Sequence, residues 1–205
     1  MNLVLDIGLG NIGSLLNMLR YLGIEARAGA SEADLATATR ILVPGVGSFD
    51  HGMRCMEQSG VAPFLRHRVL EDRVPMLGIC LGMQLLGISS EEGTSRGLNL
   101  IPMRSVRFPF AQEPPALRVP HMGWNECEPV GPGSLLEPVP APRRFYFVHS
   151  YHVVCDDPAD VSGVTHYGAP FASAVRHGNI FGVQFHPEKS HRYGMALLES
   201  FMRQH

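Results

Sequence analysis

The chain has 205 residues, of which 45% are hydrophobic and 18% are charged, and its formal net charge at pH 7 is -2. This length and composition predict one globular domain, residues 1–205, with a sizeable core. A charge so near zero gives nucleic-acid binding no electrostatic support, and no apolar run is long enough to predict a membrane span.

The four cysteines, Cys55, Cys80, Cys127 and Cys155, are far apart and form no C-x-x-C pair. This spacing argues against a zinc site and against a disulfide framework, and we expect neither a metal nor a cofactor. The first residues also lack the positively charged start of a signal peptide. Together these features predict a cytoplasmic protein in a reducing compartment.

Residues 3–7 predict a short strand, and residues 8–13 (GLGNIG) then open a helix that continues to Leu22 and ends at Gly23. A G-x-G-x-x-G pattern after a strand is also typical of a dinucleotide site. Such a site needs an acidic residue about 20 positions on, and Glu25 comes too early. A tight turn at the sheet is the preferred interpretation, with dinucleotide binding as the alternative.

The next elements alternate between strand and helix. Residues 24–28 predict a strand, residues 41–43 an apolar strand, and residues 53–59 and 61–70 helices. Such alternation predicts a parallel sheet with right-handed crossovers. Residues 44–47 (PGVG) follow a strand, and their glycines allow the backbone to expose N–H groups or to flip a peptide.

Residues 74–86 (VPMLGICLGMQLL) change from an apolar strand to a helical pattern at Cys80. Gly78 and Gly82 stand two residues before and after it, which is the G-x-nucleophile-x-G spacing of a strand–turn–helix elbow. The neighbours must be small because strand and helix approach closely around a strained nucleophile. A buried core thiol is the ordinary alternative for a lone cysteine, and the flanking glycines favour the nucleophile.

Nine of the sixteen prolines lie between Pro109 and Pro142, which excludes a long helix there. We expect hairpins and loops inserted at one side of the sheet, and a final helix with Ser190 as its N-cap. The remaining predicted strands are residues 104–108, 124–128, 145–151, 172–175 and 180–185. The expected fold class is α/β, an open, mostly parallel sheet flanked by helices with an inserted antiparallel β region.

His186 and Glu188 follow the last predicted strand, just as Cys80 and Gly45 follow earlier strands. The carboxyl ends of parallel strands meet at one edge of a sheet, so we expect these residues to come together. A cysteine nucleophile needs a base, and the base needs an acceptor that orients it. For His186 alone, a hydrogen-bonded loop histidine is the alternative.

The motifs GICLGMQLL, around Cys80, and GVQFHPEKS, around His186, resemble the class I (triad) glutamine amidotransferases over essentially the whole chain. Residues 44–47, 120–125 and 146–151 resemble the glutaminase subunits of imidazole glycerol phosphate synthases, which serve histidine biosynthesis. The resemblance implies a flavodoxin-like fold and hydrolysis of glutamine to glutamate and ammonia. In that reaction Cys80 would be the nucleophile, His186 would move the proton and Glu188 would orient the imidazole.

The same resemblance implies roles for three further groups of residues. N–H groups of the oxyanion site would come from Gly45, Val46 and Leu81. Residues that hold glutamine would be Gly47, Gln84, Glu92 and Ser150. Residues that face a synthase (cyclase) subunit, which receives the ammonia in a heterodimer, would be Asn11, Trp124, Tyr146 and Lys189.

Two alternatives concern the partner and the substrate. Residues 48–53 and 190–195 look more like a paralogous branch that feeds ammonia to sugar amidotransferases of lipopolysaccharide and O-antigen synthesis. A Cys–His hydrolase or peptidase on a related fold would keep Cys80 and His186 without requiring Gln84. The expected partners are glutamine and a synthase subunit, with no nucleic acid and no membrane.

Overall fold

A computed structural model of the chain describes residues 1–109 and 117–204. Residues 110–116, which belong to the proline-rich stretch predicted to form hairpins and loops, lie outside the described residues. Within the two described ranges, no helix has the length and apolar character needed to cross a membrane.

The described residues form six α-helices and thirteen strands. The helices are α1 (Ile12–Tyr21), α2 (Glu32–Thr37), α3 (Phe49–Gln58), α4 (Ala62–Leu70), α5 (Leu81–Leu85) and α6 (His191–Gln204). The strands are β1 (Asn2–Leu5), β2 (Ala26–Gly29), β3 (Arg40–Gly45), β4 (Met76–Cys80), β5 (Ser89–Ser90), β6 (Met103–Arg107), β7 (His121–Glu126), β8 (Glu128–Pro129), β9 (Arg144–His149), β10 (Tyr151–Cys155), β11 (Val161–Tyr167), β12 (Ala169–His177) and β13 (Ile180–Val183). Two 3-10 helices cover Pro158–Asp160 and Pro187–Lys189.

The main sheet has a parallel half in the order β2-β1-β3-β4-β13, which is the 2-1-3-4-5 order of flavodoxin-like folds. Antiparallel strands β12, β10 and β6 continue this sheet, β5 runs parallel to β6 at its edge, and β11 and β8 branch from β12. Strands β7 and β9 form a separate antiparallel pair, the β7–β9 ribbon. The predicted fold class, a mostly parallel sheet with an inserted antiparallel region, is confirmed.

The parallel strands send alternate apolar side chains to opposite faces of the sheet. Leu3 and Val43 belong to a buried cluster that includes side chains of α3, α4 and α5. Val4 and Leu42 belong to a second cluster, which includes side chains of α1 and α6. Because both faces are covered, these strands are apolar throughout rather than alternating between apolar and polar residues.

The register of the sheet decides where the candidate site forms. Gly45 of β3 lies opposite Cys80 of β4, and Val183 of β13 lies opposite Ile79 of β4. Three neighbouring strands therefore end at nearly the same level. The residues that follow these strands meet at the carboxyl edge of the sheet, where α/β folds place their ligands.

The structure differs from the predicted elements in several places, of which three are instructive. Residues 145–151, predicted as one strand, divide at Ser150 because β9 pairs with β7 whereas β10 pairs with β6. Helix α2 was not predicted, because six residues with only Leu35 buried give too short a periodic signal. Strand β11 was also missed, since its pattern contains Gly163 and breaks register there.

Ser190 directly precedes α6, but its hydroxyl does not act as the predicted cap. It accepts a hydrogen bond from the backbone N–H of Tyr146 at 3.0 Å and donates one to the carbonyl of His186 at 2.6 Å. The serine therefore fastens the loop that carries His186 to strand β9.

We expect Gly82→Ala to lower the free energy of unfolding by about 1–3 kcal/mol, since a β-carbon would overlap the carbonyl oxygen of Val43 and overpacking forces the backbone to shift. Gly13→Ala is the matched control: it lies in α1 with its nearest neighbouring atom 3.9 Å away. That change should raise stability by up to about 1 kcal/mol, as alanine favours helix. Urea unfolding measures both, and equal stabilities of the two variants would contradict the expectation.

Candidate active site

Cys80 lies on a strained turn between β4 and α5. Its backbone has φ 55° and ψ -112°, a region that residues other than glycine rarely adopt. A β-carbon at Gly78 would lie 2.7 Å from the carbonyl oxygen of Gly82, so the strand and the helix approach too closely for any side chain there. The elbow predicted from the sequence is therefore present, and the strain is concentrated at the candidate nucleophile.

The thiol of Cys80 opens into a cavity of about 310 Å³, although the residue itself is only 6% exposed. This volume is at the lower end for small-molecule sites. Eight of the ten residues predicted to form the triad, the oxyanion site and the glutamine site line the cavity: Val46, Gly47, Cys80, Leu81, Gln84, Glu92, Ser150 and His186. The other two lie just behind its wall: Gly45 ends β3, and Glu188 contacts His186.

His186 and Glu188 form a buried pair. Nδ1 of His186 lies 2.8 Å from Oε1 of Glu188, and the two side chains are 2% and 7% exposed. The other ring nitrogen, Nε2, is buried and has no hydrogen-bond partner among the described residues. One nitrogen is thus committed to the carboxylate, and the other is free to exchange a proton in the cavity.

The environment of His186 favours its protonated form. Burial lowers the pKa of the imidazole, but interactions with Cys80 and then with Glu188 raise it more, and the net result is a pKa of about 9. The imidazolium is therefore stable at neutral pH, which is the charge state that complements both a thiolate and a carboxylate.

Glu92 and Gln84 line the cavity and also form hydrogen bonds with the segments that surround it. The Glu92 carboxylate accepts the N–H of Phe49 at 2.8 Å, at the start of α3. The amide nitrogen of Gln84 donates to the carbonyl of Tyr151 at 3.2 Å and to Oε1 of Gln184 at 3.0 Å. Sequence reasoning did not include Gln184, although a polar residue within the apolar run 180–185 is a signal that could have found it.

The turn after β3 needs its glycines for different reasons. A β-carbon at Gly45 would lie 2.8 Å from the backbone nitrogen of Gly82, so this position is small because α5 packs against it. Gly47 has φ 115°, which a residue with a side chain would adopt only under strain. Gly10, in the G-x-G-x-x-G loop, also packs here, since its β-carbon would lie 3.3 Å from the backbone nitrogen of Gly45.

Three of the predicted partner-facing residues lie close together, and the backbone carbonyl of one of them, Tyr146, accepts the N–H of His186. The rings of Trp124 and Tyr146 are 6.2 Å apart, and the amine of Lys189 lies 5.8 Å from the centre of the Tyr146 ring. His191 stacks on Trp124 at 5.6 Å. Asn11, the fourth predicted residue, caps α1 by accepting the N–H of the residue three positions on, and α1 contacts the 3-10 helix that carries Lys189.

Comparison with known proteins identifies the family. The sequence profile described as "Glutamine amidotransferase class-I" matches residues 3–204. The chain therefore belongs to the class I glutamine amidotransferase family, and it is an enzyme of that class. The resemblance seen in the sequence motifs is confirmed.

The chain is similar to named relatives over nearly its whole length. Imidazole glycerol phosphate synthase subunit HisH 2 of Pseudomonas aeruginosa is 46% identical over 202 residues, which is 98% of each chain. The protein of the same name from Methanococcus maripaludis is 43% identical over 201 residues, again 98% of each chain.

Solved structures share the fold. The structure of PurLQS from Thermotoga maritima aligns with a TM-score of 0.74 at 16% identity, covering 98% of this chain and 96% of that one. A crystal structure of a glutamine amidotransferase aligns with a TM-score of 0.70 at 21% identity, covering 98% and 99%. At such low sequence identities, the similarity to these two structures shows only that the fold is shared.

We expect the stability of the wild type to fall as the pH rises through about 9. The pKa of His186 is raised from 6.5 to about 9, so its stabilising contribution is complete below about pH 6.5 and is lost as the proton leaves the folded state. Glu188→Gln removes one cause of the raised pKa, so its stability should fall less over the same range.

Thermal unfolding of the two proteins across this pH range measures the difference. Glu199→Gln is the control, because it breaks an exposed ion pair with Arg203 on α6 and should keep the wild-type pH dependence. Parallel curves for the wild type and Glu188→Gln would contradict the expectation.

Proposed function

We propose that this chain is a glutaminase subunit that hydrolyses glutamine and delivers ammonia to a synthase partner, most simply that of an imidazole glycerol phosphate synthase. One observation carries the proposal: a thiol on a strained elbow shares a cavity with a buried imidazole that is held by a carboxylate. Family membership favours glutamine over a peptide as the substrate. The names of the two relatives support histidine biosynthesis as the pathway.

Before the first step the thiol proton of Cys80 already lies on Nε2 of His186, and the resulting Sγ thiolate attacks the carboxamide carbon of glutamine. A C–S bond forms, and the carbonyl electron pair moves onto oxygen. The N–H of Leu81, at the start of α5, and an N–H of the Gly45–Val46 turn would donate to that oxyanion. Such a donor typically contributes a factor of about 10²–10³ in rate.

In the second step the oxyanion collapses and the C–N bond breaks, while His186 gives its proton to the nitrogen, which leaves as ammonia. Water then attacks the thioester, His186 accepts one water proton, and the C–S bond breaks to release glutamate. That proton stays on His186 beside the released thiolate of Cys80, which restores the starting ion pair. Glu188 accepts the Nδ1–H bond throughout and stabilises each imidazolium that forms.

The cavity offers groups that match both ends of glutamine. The carboxylate of Glu92 would attract the substrate ammonium, while Gly47, Gln84 and Ser150 would hold the rest of the amino acid and its amide. Each reacting group is a side chain or a backbone N–H, so the proposed reaction requires neither a metal nor a cofactor. All four cysteines are free thiols, which supports a reducing, cytoplasmic location.

The surface around Trp124, Tyr146 and Lys189 is where we place the synthase subunit. Ammonia passed across such a contact would not meet bulk water, where it would be protonated. The principal alternative is an acceptor enzyme of surface-polysaccharide synthesis, suggested by residues 48–53 and 190–195. That alternative changes the partner and leaves the glutaminase chemistry unchanged.

Cys80→Ser should lower glutamine hydrolysis by several orders of magnitude, because the three groups act as a unit. His186→Ala should be nearly as damaging, and Glu188→Gln less so, since it removes an orienting group. Ammonia release in the presence of the synthase subunit measures all three. Cys55→Ser is the control and should retain wild-type turnover. Near-normal ammonia release by Cys80→Ser would exclude the assignment.

The same assay identifies the acceptor when it is run with two partners in parallel, the synthase subunit of histidine biosynthesis and a sugar amidotransferase. The true partner should co-elute with the chain and raise ammonia release when its own substrate is bound. Activation only by the sugar enzyme would overturn the histidine assignment while preserving the glutaminase.

A further inference from the structure

A buried chain of hydrogen bonds connects the β7–β9 ribbon with Cys80. It begins at Asn125, whose Nδ2 lies 3.2 Å from Nε2 of His121, and continues from Nδ1 of His121 to Nε2 of His149 at 3.0 Å. Nδ1 of His149 then reaches the carbonyl of Tyr151 at 2.7 Å. His121 and His149 are both buried, so these bonds form away from water.

Chemistry fixes the direction of every bond in this half of the chain. A carbonyl only accepts, so Nδ1 of His149 carries the hydrogen. Burial lowers the pKa of His149 to about 3 and that of His121 to about 4, so both rings are neutral and each has one donor and one acceptor. His121 must therefore donate to His149 and accept from Asn125. The amide of Asn125 is fixed in turn, because its Nδ2 donates to the carbonyl of His166 and its Oδ1 accepts the N–H of the next residue.

The second half of the chain runs from Tyr151 to the sulfur. The same carbonyl of Tyr151 accepts from the amide of Gln84, which also donates to Oε1 of Gln184 at 3.0 Å. Because Oε1 of Gln184 is occupied as an acceptor, its Nε2 points the other way and lies 3.7 Å from Sγ of Cys80. Gln184 is fully buried.

We propose that Gln184 is a positioning residue for the Cys80 thiol: the Tyr151 carbonyl fixes the orientation of the Gln84 amide and through it that of Gln184, and the hydrogen bonds from Asn125 through His121 and His149 hold that carbonyl in place. The proposal rests on the proposed function only in taking Cys80 as the nucleophile. An N–H directed at sulfur holds the thiol in place and stabilises the negative charge that develops when it loses its proton. The reversed amide would direct an oxygen at that charge.

The simpler explanation is that these groups merely satisfy each other as buried polar atoms. The two explanations differ in how the reactivity of Cys80 responds when a distant hydrogen bond of the series is removed. If the groups only fill the interior, removing the hydrogen bonds of His121 should leave the reactivity of the Cys80 sulfur unchanged. If the hydrogen bonds position Gln184, the same change should reduce the reactivity of the thiol.

The test measures the rate at which iodoacetamide alkylates Cys80 in the isolated chain, with peptide mass spectrometry to assign the label. Gln184→Met removes the donor at similar size and should slow alkylation about tenfold, as expected for a hydrogen bond to a charged group. His121→Leu should slow it severalfold. His121→Asn keeps a donor at the position of Nδ1 and should restore most of the rate.

The double variant Gln184→Met with His121→Leu shows whether the two substitutions act through the same series of hydrogen bonds or independently of each other. We expect it to react no more slowly than Gln184→Met alone, because once the donor is gone its orientation no longer matters. His152→Leu is the matched control: this ring lies 4.7 Å from the Phe108 ring in the same aromatic cluster, outside the chain, and the rate should stay within about twofold.

An unchanged rate in Gln184→Met, or a double variant slowed by the product of the two single effects, would overturn the proposal. Circular dichroism checks that each variant folds, and Gln184→Glu, which keeps the shape and the acceptor, replaces Gln184→Met if the latter does not. Alkylation needs neither glutamine turnover nor a partner. If the protein shows these rate effects but releases no ammonia with any partner, that result would count against the proposed function alone.

Discussion

The close approach of β4 to α5 is the constraint on which the candidate site depends. Helix α5 starts directly at the end of the strand, and β-carbons at Gly45, Gly78 and Gly82 would each collide with neighbouring backbone. That crowding forces Cys80 into a conformation with positive φ, which lifts its side chain out of the sheet. Without the three glycines the strands could still pair, but the thiol would not stand at the carboxyl edge.

The register of the sheet then supplies the other groups without further strain. Because β3, β4 and β13 end at nearly the same level, the turn after β3 and the loop after β13 open into the same cavity as the thiol. Ser190 fastens that loop to β9, and Glu188 fixes the ring of His186. Nucleophile, base and orienting acceptor are thus held by separate elements, each with its own packing, as a preorganised site requires.

Local patterns predicted the parallel half of the fold and the three residues placed in the triad. The apolar runs 41–43 and 74–80, and the glycine spacing around Cys80, depend on residues close in sequence. Contacts between distant segments were not predictable in this way. The division of residues 145–151 depends on two different pairing strands, and the bond between Gln184 and Cys80 joins residues 104 positions apart. The sequence marks Gln184 as an unusual polar residue, but it shows neither its bonding partner nor the two pairing strands.

In the proposed reaction Cys80 attacks glutamine and carries its acyl group as a thioester. The direct measurement is acid quenching of the chain during turnover of glutamine with its activating partner, followed by mass spectrometry of the peptides. We expect a γ-glutamyl thioester on the peptide that contains Cys80, removable by hydroxylamine and absent from the peptide that contains Cys55. Sustained ammonia release with no adduct on Cys80, or an adduct on another residue instead, would contradict it.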